Sequence, residues 1–108
     1  MDWIEIIHLR SYSHQDKAQA LVAFRQLSLP RRTGKLKSAR LFRNHTLEND
    51  LAIIITWHDK KKQGGKSPLG LQLAAAFSEF GQIYHTTWEY EFCLVDNEET
   101  RLSYSNVS

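Results

Sequence analysis

Residues 51–58 read Leu-Ala-Ile-Ile-Ile-Thr-Trp-His and form the most hydrophobic stretch of the chain. Three consecutive isoleucines place branched apolar side chains on both faces of an extended strand, because successive side chains point to opposite sides. A strand with one face in water would alternate between apolar and polar residues instead. The pattern therefore predicts a central strand that is covered on both faces.

The chain has 108 residues, which suits one domain with a core of modest size. No apolar run approaches the roughly 18 residues that span a bilayer, and the N-terminal residues lack the pattern of a secretion signal. Cys93 is the only cysteine, which excludes an intrachain disulfide and a cysteine-rich zinc site. We expect a cytoplasmic protein without membrane association, with one domain over residues 1–95. Residues 96–108 are expected to form a polar tail or a short added strand.

Positive charge is concentrated in the middle of the chain. Residues 31–66 contain ten Lys or Arg and three acidic residues, although the net charge of the whole chain is only +2. Such a segment can bind phosphate groups or other anions. A solvated edge strand and its loops explain the same charges more simply.

Hydrophobic periodicity predicts four strands and two helices. The strands are expected over residues 3–10, 36–45, 51–58 and 83–95, and the helices over residues 14–27 and 69–80. Ser13 offers a cap for the first helix, and Ser67 followed by Pro68 is a clear start for the second. Pro30 and Gly81 stop the two helices. The intervening residues 31–35 and 59–66 are predicted loops.

The order strand, helix, strand, strand, helix, strand predicts an α+β, ferredoxin-like βαββαβ fold. Right-handed crossovers place both helices on one face of a four-stranded antiparallel sheet with strand order 4-1-3-2. The central strands are then residues 3–10 and 51–58, the two that are apolar on both faces. The helices cover only one face, and the other would expose more apolar surface than a monomer usually tolerates. We therefore predict a homodimer that packs sheet against sheet about a twofold axis.

This order of elements, the Trp57-His58-Asp59 end of the third strand and the aromatic last strand resemble the dimeric α/β-barrel proteins. Over about residues 3–95 the chain is most similar to their antibiotic-biosynthesis-monooxygenase group. The resemblance implies a pocket between helices and sheet. It also implies, in many members, oxidation of aromatic or quinol-like molecules by oxygen without a cofactor. The haem-degrading members carry a histidine early in the second helix, and residues 69–80 contain none.

Histidines are the best candidates for chemistry, because they titrate near neutral pH and can act as a general base or as a donor to an oxyanion. We expect the first and third strands to run in the same direction, which would gather histidines at one end of the sheet. The alternative is that each histidine is a strand-end residue in water. The predicted catalytic residues are His8, His58 and His85, and the predicted ligand-binding residues are Trp57, Tyr84, Tyr12 and Arg10. No metal site is expected, because the sequence does not set the register that would bring three ligands onto one face.

Three functions are compatible with these features. The first is a cofactor-independent monooxygenase for a small aromatic or quinol-like molecule, and the second is a ligand-binding or structural homodimer without catalysis. The third is an RNA-binding module, which shares the topology but needs an aromatic run for base stacking on its third strand. Residues 51–56 are aliphatic there, so nucleic-acid binding is not expected.

Overall fold

Six elements follow one another in the order predicted from the sequence. In the computed structural model they are β1 (Asp2–Ser11), α1 (His14–Arg25), β2 (Leu36–Arg43), β3 (Asp50–His58), α2 (Pro68–Phe77) and β4 (Gly81–Glu89). The structure describes residues 2–29, 35–58 and 65–96. The predicted loops lie mostly outside these ranges, as does the predicted tail from residue 97 onwards. In the ranges described, no helix has the length and apolar character needed to cross a membrane.

The four strands form one sheet in the order β2-β3-β1-β4, which confirms the predicted ferredoxin-like fold. All three neighbouring pairs are antiparallel. The expectation that the first and third strands run in the same direction was therefore wrong. The crossover through α1 makes β2 parallel to β1, and the hairpin from β2 to β3 then reverses the chain. For that reason β3 must run opposite to β1.

The core lies between the two helices and one face of the sheet. Alternate residues of the central strands point into it, together with side chains from both helices. The buried apolar residues are Ile7, Leu9, Ala20, Leu51, Ile53, Ile55, Leu73, Phe77 and Phe80. Phe77 lies edge-on to both Phe24 and Phe80, with ring centroids 6.5 and 5.8 Å apart. The alternation confirms that one face of the triple-isoleucine strand packs against helices.

Both helices end earlier than predicted. The first ends at Arg25, and Leu27 is 38% exposed instead of lying in the core. The second ends at Phe77, after which the amide of Phe80 bonds to the carbonyl of Phe77. Gly81 then passes so close to β1 that a Cβ there would lie 2.1 Å from the carbonyl oxygen of Arg10. The chain must leave the helix before this contact in order to enter β4.

The other face of the sheet, here called the open face, has neither of the two described helices against it. Its centre is formed by Ile4 and Ile6 of β1 and by Ile54 of β3, and the register places Ile6 directly opposite Ile54. Aromatic side chains lie towards its margins. Phe42, Tyr84 and Trp88 are 49%, 56% and 56% exposed. This confirms the apolar face from which a homodimer was predicted.

The last strand is shorter than predicted and ends at Glu89 instead of Val95. Its pairing with β1 finishes where Glu89 lies opposite Trp3, followed by one further bond from the amide of Tyr90 to the carbonyl of Asp2. Residues 90–95 continue past the end of the sheet. Their apolar residues alternate, which predicted a strand, but no described strand pairs with residues 91–95.

Candidate functional site

A buried carboxylate lies at the centre of the interface between helices and sheet. Glu5 of β1 is fully buried and accepts hydrogen bonds from three side chains and one backbone amide. Trp57 Nε1 donates to Oε2 at 2.8 Å, and His85 Nε2 bonds to Oε1 at 2.8 Å. Ser67 donates its amide to Oε1 at 3.1 Å and its hydroxyl to Oε2. These four residues are called the Glu5 cluster.

Strand register explains how the cluster forms. Glu5 lies directly opposite Ile55 of β3 and Thr87 of β4. Trp57 and His85 are each two positions from those partners, and so lie on the same face as diagonal neighbours of Glu5. Long side chains reach across such diagonals in an antiparallel sheet. The sheet alone therefore supplies three of the four members.

The fourth member comes from the start of α2. Ser67 caps this helix by accepting a hydrogen bond from the amide of Gly70 at 2.9 Å. A Cβ at Gly70 would lie 2.1 Å from Glu5 Oε1 and 2.9 Å from His85 Cε1. Glycine thus allows the first turn of α2 to rest directly on the carboxylate. A negative charge is favoured there, because helix N-termini carry partial positive charge.

The surroundings of Glu5 keep it ionised. Burial alone raises the pKa of this carboxyl, but hydrogen bonds from Ser67, Trp57 and His85 outweigh burial and hold its pKa below the ordinary value. An ionised carboxylate can only accept hydrogen bonds, so Nε2 of His85 carries the hydrogen in this pair. In the neutral imidazole, Nδ1 is then the nitrogen that can accept a proton.

An apolar groove of about 390 Å³ adjoins the cluster. It lies between the segment that follows α1 and the side of α2 that carries Leu69, Leu73 and Ala76. Its walls are formed by Leu27, Ser28, Leu29, Trp57, Leu69, Gln72, Leu73 and Ala76. Trp57 belongs to both the groove and the Glu5 cluster, and Trp3 stacks on it with ring centroids 5.6 Å apart. The volume is within the range of about 300–1,000 Å³ that holds small ligands.

Three other predicted site residues meet on the open face. His8 Nε2 lies 2.8 Å from Asp50 Oδ2, and Arg10 Nε donates to Asp50 Oδ1 at 3.3 Å. The ring of Tyr84 is tilted against that of His8 at a centroid distance of 5.9 Å. Burial raises the pKa of Asp50, but hydrogen bonds from Arg10 and His8 outweigh it and leave this pKa below its usual value.

The predicted gathering of histidines at one end of the sheet is not found. His8 pairs with Ala52, whereas His58 lies at the opposite end of β1 beside Asp2, with Nδ1 3.0 Å from Oδ1. The antiparallel direction of β3 separates them. His85 is on the helix side and His8 on the open face. Tyr12 follows β1, and its side chain is 65% exposed.

Glu5, Ser67 and Asp50 were missed as site residues. Glu5 lies two and four positions before Ile7 and Leu9, so its side chain is on the same, apolar face of the strand. A charged residue on such a face indicates a buried carboxylate that is hydrogen-bonded. Ser67 was recognised only as a helix cap. Asp50 lies between the predicted strands 36–45 and 51–58, but in the structure it is the first residue of β3. Across residues 2–29, 35–58 and 65–96, no three His, Cys, Asp or Glu side chains group as metal ligands do.

No protein-family model matches the chain, and no curated protein matches it in sequence. Solved structures do match. A dimeric ferredoxin-like protein from an uncultured marine organism has 8% identity over 88% of this chain and 92% of its own, with a TM-score of 0.63. A point mutant of SnoaB, a cofactor-independent oxygenase from Streptomyces nogalater, has 15% identity over 88% of this chain and 98% of its own, with a TM-score of 0.53.

The chain has the ferredoxin-like fold. A proposed antibiotic biosynthesis monooxygenase from Deinococcus radiodurans is similar to it over 87% of this chain and 97% of its own, at 17% identity and a TM-score of 0.54. The predicted resemblance to the antibiotic-biosynthesis-monooxygenase group thus holds at the level of the fold.

Proposed function

We propose that this protein is a small oxygenase that acts without a cofactor on an aromatic or quinol-like molecule bound in the groove beside α2. The observation that carries the proposal is the Glu5 cluster, in which one ionised carboxylate holds both the His85 imidazole and the Trp57 indole. Trp57 joins this pair to the groove, since its ring forms part of the groove wall. SnoaB, a cofactor-independent oxygenase of similar fold, supports the class of reaction.

In this proposal His85 is the general base. Nδ1 takes a proton from a hydroxyl group or an acidic C–H of the substrate, and the Glu5 carboxylate stabilises the imidazolium that forms. The resulting anion is electron-rich and reduces oxygen directly. Overall, the substrate loses two hydrogens and gains one oxygen atom: the CH₂ carbon of an anthrone becomes a carbonyl, and a hydroquinone becomes a hydroxyquinone. The second oxygen atom leaves with those hydrogens as water, so the substrate supplies all the electrons.

The groove suits a neutral aromatic ligand. Its lining is mainly aliphatic, and Ser28 and Gln72 are its polar members. An ionised carboxylate lies directly behind Trp57, so a ligand that carried a negative charge before deprotonation would be repelled. The substrate must also reach His85, whose side chain is only 4% exposed.

We also propose that the protein is a homodimer in which a second copy covers the open face. The apolar centre of that face and its exposed aromatic margins support the proposal. One structural neighbour is itself described as dimeric.

Oxygen uptake with a panel of hydroquinones and anthrones tests the proposed reaction. We expect wild type to consume oxygen with at least one of them, and His85→Gln to lower the rate by about 100-fold or more. His58→Gln is the matched control, because the side chain of His58 is 71% exposed and bonds to Asp2 instead of Glu5, and its rate should stay within about twofold of wild type. Equal rates for the two variants would exclude His85 as the base.

Ligand binding without catalysis is the second candidate function. It is favoured by the saturation of Glu5, which already accepts four hydrogen bonds and can serve as a structural anchor for α2. Tryptophan fluorescence would separate the candidates. A binding protein would show quenching of its tryptophan fluorescence by one of the panel compounds but no oxygen uptake with it. The quenching should be weaker in Trp57→Phe. This result would favour a binding protein over an oxygenase.

A further inference from the structure

The open face holds a histidine that the proposed reaction does not use. His8 lies two positions after Ile6 on β1, so both side chains are on this face, and it is directly opposite Tyr84 of β4. Its Nε2 lies 2.8 Å from Asp50 Oδ2. The side chain of His8 is 36% exposed and that of Asp50 only 5%. A second copy on the open face would therefore bury an imidazole that is already partly covered.

The groups around His8 decide the net charge of this cluster. Arg10 of the same strand donates to Asp50 from Nε at 3.3 Å and from Nη2 at 3.4 Å, and the ring of Tyr84 packs against the imidazole. Burial opposes ionisation of Asp50, but hydrogen bonds from Arg10 and His8 outweigh it and hold the pKa of Asp50 below its usual value. The charges of Asp50 and Arg10 cancel when the imidazole is neutral. When the imidazole is protonated, the cluster carries one net positive charge.

The other charged residues of the open face offer no free carboxylate to a further cation. Asp2, at the far end of β1, accepts a hydrogen bond from Lys37 Nζ at 2.9 Å and lies 3.0 Å from His58 Nδ1. Arg40 of β2 adds an exposed positive charge to the same face. Among the described strand residues of this face, Asp2 and Asp50 are the carboxylates, and each is already bonded within its own chain.

A twofold dimer places the same surface on both sides of its interface. A net charge on the open face therefore meets the same net charge on the partner, whichever way the two sheets are rotated against each other. An imidazolium buried there would lose its water and find no unengaged carboxylate on the partner, which is costly.

We propose that His8 makes the homodimer sensitive to pH. The copies associate while the imidazole of His8 is neutral, and they separate when it takes up a proton. The inference rests on the proposed homodimer and goes beyond it by naming the group that controls association.

The sign of the effect follows from proton linkage. Imidazole groups usually take up protons at about pH 6.5. Because His8 binds a proton more readily in the free monomer than in the dimer, association is strongest above this pH and weakens as the pH falls through it. Each dimer contains two His8 side chains, which multiplies the effect. Glu5 and Asp50 stay ionised at pH 5.5, since the pKa of each lies below its ordinary value, so this response is separate from acid unfolding.

Analytical ultracentrifugation of the full chain at pH 8 and pH 5.5 tests the inference. We expect the dissociation constant of the wild-type dimer to rise by about tenfold or more at pH 5.5. His8→Gln keeps a neutral donor for Asp50 but has no imidazole to protonate, so its dissociation constant should change by less than about threefold. His14→Gln is the matched control on α1, where the side chain is 72% exposed, and should respond as wild type does.

A permanent charge provides a second variant. His8→Lys is positively charged at both pH values, so its dissociation constant should exceed that of wild type by about tenfold or more already at pH 8. Circular dichroism at both pH values checks that each variant is folded.

Several results would overturn the inference. A wild-type dissociation constant that is equal at the two pH values, or lower at pH 5.5, would refute the role of His8 and leave the homodimer intact. A His8→Gln protein that responds to pH as strongly as wild type would assign the response to another group. A wild-type protein that is monomeric at both pH values would refute the homodimer and this inference together.

Discussion

At the scale of single residues, Glu5 is the position where the chain departs from an ordinary apolar core. Removing a carboxylate from water costs several kcal/mol, and this cost is offset only when the charge is fully hydrogen-bonded. Bonds to a charged group contribute about 1.5–3 kcal/mol each, and Glu5 accepts four. The structure is therefore sensitive to the loss of any one donor.

Acid should weaken the protein through Glu5. The pKa of Glu5 is lower in the folded protein than in the unfolded chain, where it is about 4.3. The ionised carboxylate therefore stabilises the folded protein fully above about pH 4.3, and this contribution is lost as the pH falls through the pKa of the folded state. Glu5→Gln removes this titration, and the free energy of unfolding of the variant should vary less below about pH 5. Urea unfolding between pH 7 and pH 3 measures this. Glu79→Gln, at an exposed site, is the control and should keep the wild-type slope.

Gly70→Ala should destabilise the protein by about 1–3 kcal/mol. Alanine gains about 1 kcal/mol in helix propensity, but its Cβ would overlap Glu5 Oε1 at 2.1 Å and force the first turn of α2 away from the sheet. Thermal unfolding provides the measurement. Leu71→Ala, on the exposed side of the same turn, should change stability by less than about 1 kcal/mol. A Gly70→Ala protein as stable as wild type would show that α2 does not rest on Glu5 as described.

At the scale of elements, most of the fold was predictable because strands and helices follow local patterns. Three isoleucines predicted a central strand, and serine caps predicted both helix starts. The ends of elements were less predictable. Helix α2 stops before Gly81 because of a close backbone contact, and β4 stops where β1 no longer provides a partner. Both ends depend on residues distant in sequence.

The two helix caps provide a matched comparison. Ser13→Ala removes a cap at the exposed start of α1 and should cost about 1 kcal/mol, as such caps usually do. Ser67→Ala removes both the cap of α2 and a hydroxyl donor to buried Glu5, so it should cost about 1–3 kcal/mol more. Chemical denaturation of the two variants gives the difference. Equal losses would mean that the bond from Ser67 to Glu5 contributes little to stability.

At the scale of the whole molecule, the sheet separates two surfaces with different roles. The helix side holds the Glu5 cluster and the groove, and the open face holds His8, Arg10 and Tyr84 around Asp50. The prediction of one shared site failed because it assumed the wrong direction for β3. The predicted homodimer depends on the open face alone, so it does not depend on that assumption.

A charge at the centre of the open face should prevent association. Ile6→Lys places an ammonium group opposite Ile54, where burial against a second copy would cost several kcal/mol. We expect this variant to be a folded monomer by analytical ultracentrifugation and circular dichroism. Val22→Lys changes an exposed apolar residue on α1 and should leave the assembly unchanged. If the assembly formed by the Ile6→Lys protein has the same mass in solution as that of wild type, the interface lies elsewhere.

The sequence by itself determined which elements form, their order in the chain and which strands lie at the centre, because periodicity and capping act over a few residues. It also indicated that one sheet face needs a partner. Only the tertiary structure decided which side chains meet. Glu5, Trp57, Ser67 and His85 are separated by up to 80 positions; strand register brings three of them together, and the start of α2 adds Ser67. Register is set by the pairing of strands that are distant in the chain, and no local pattern within residues 51–58 contains it.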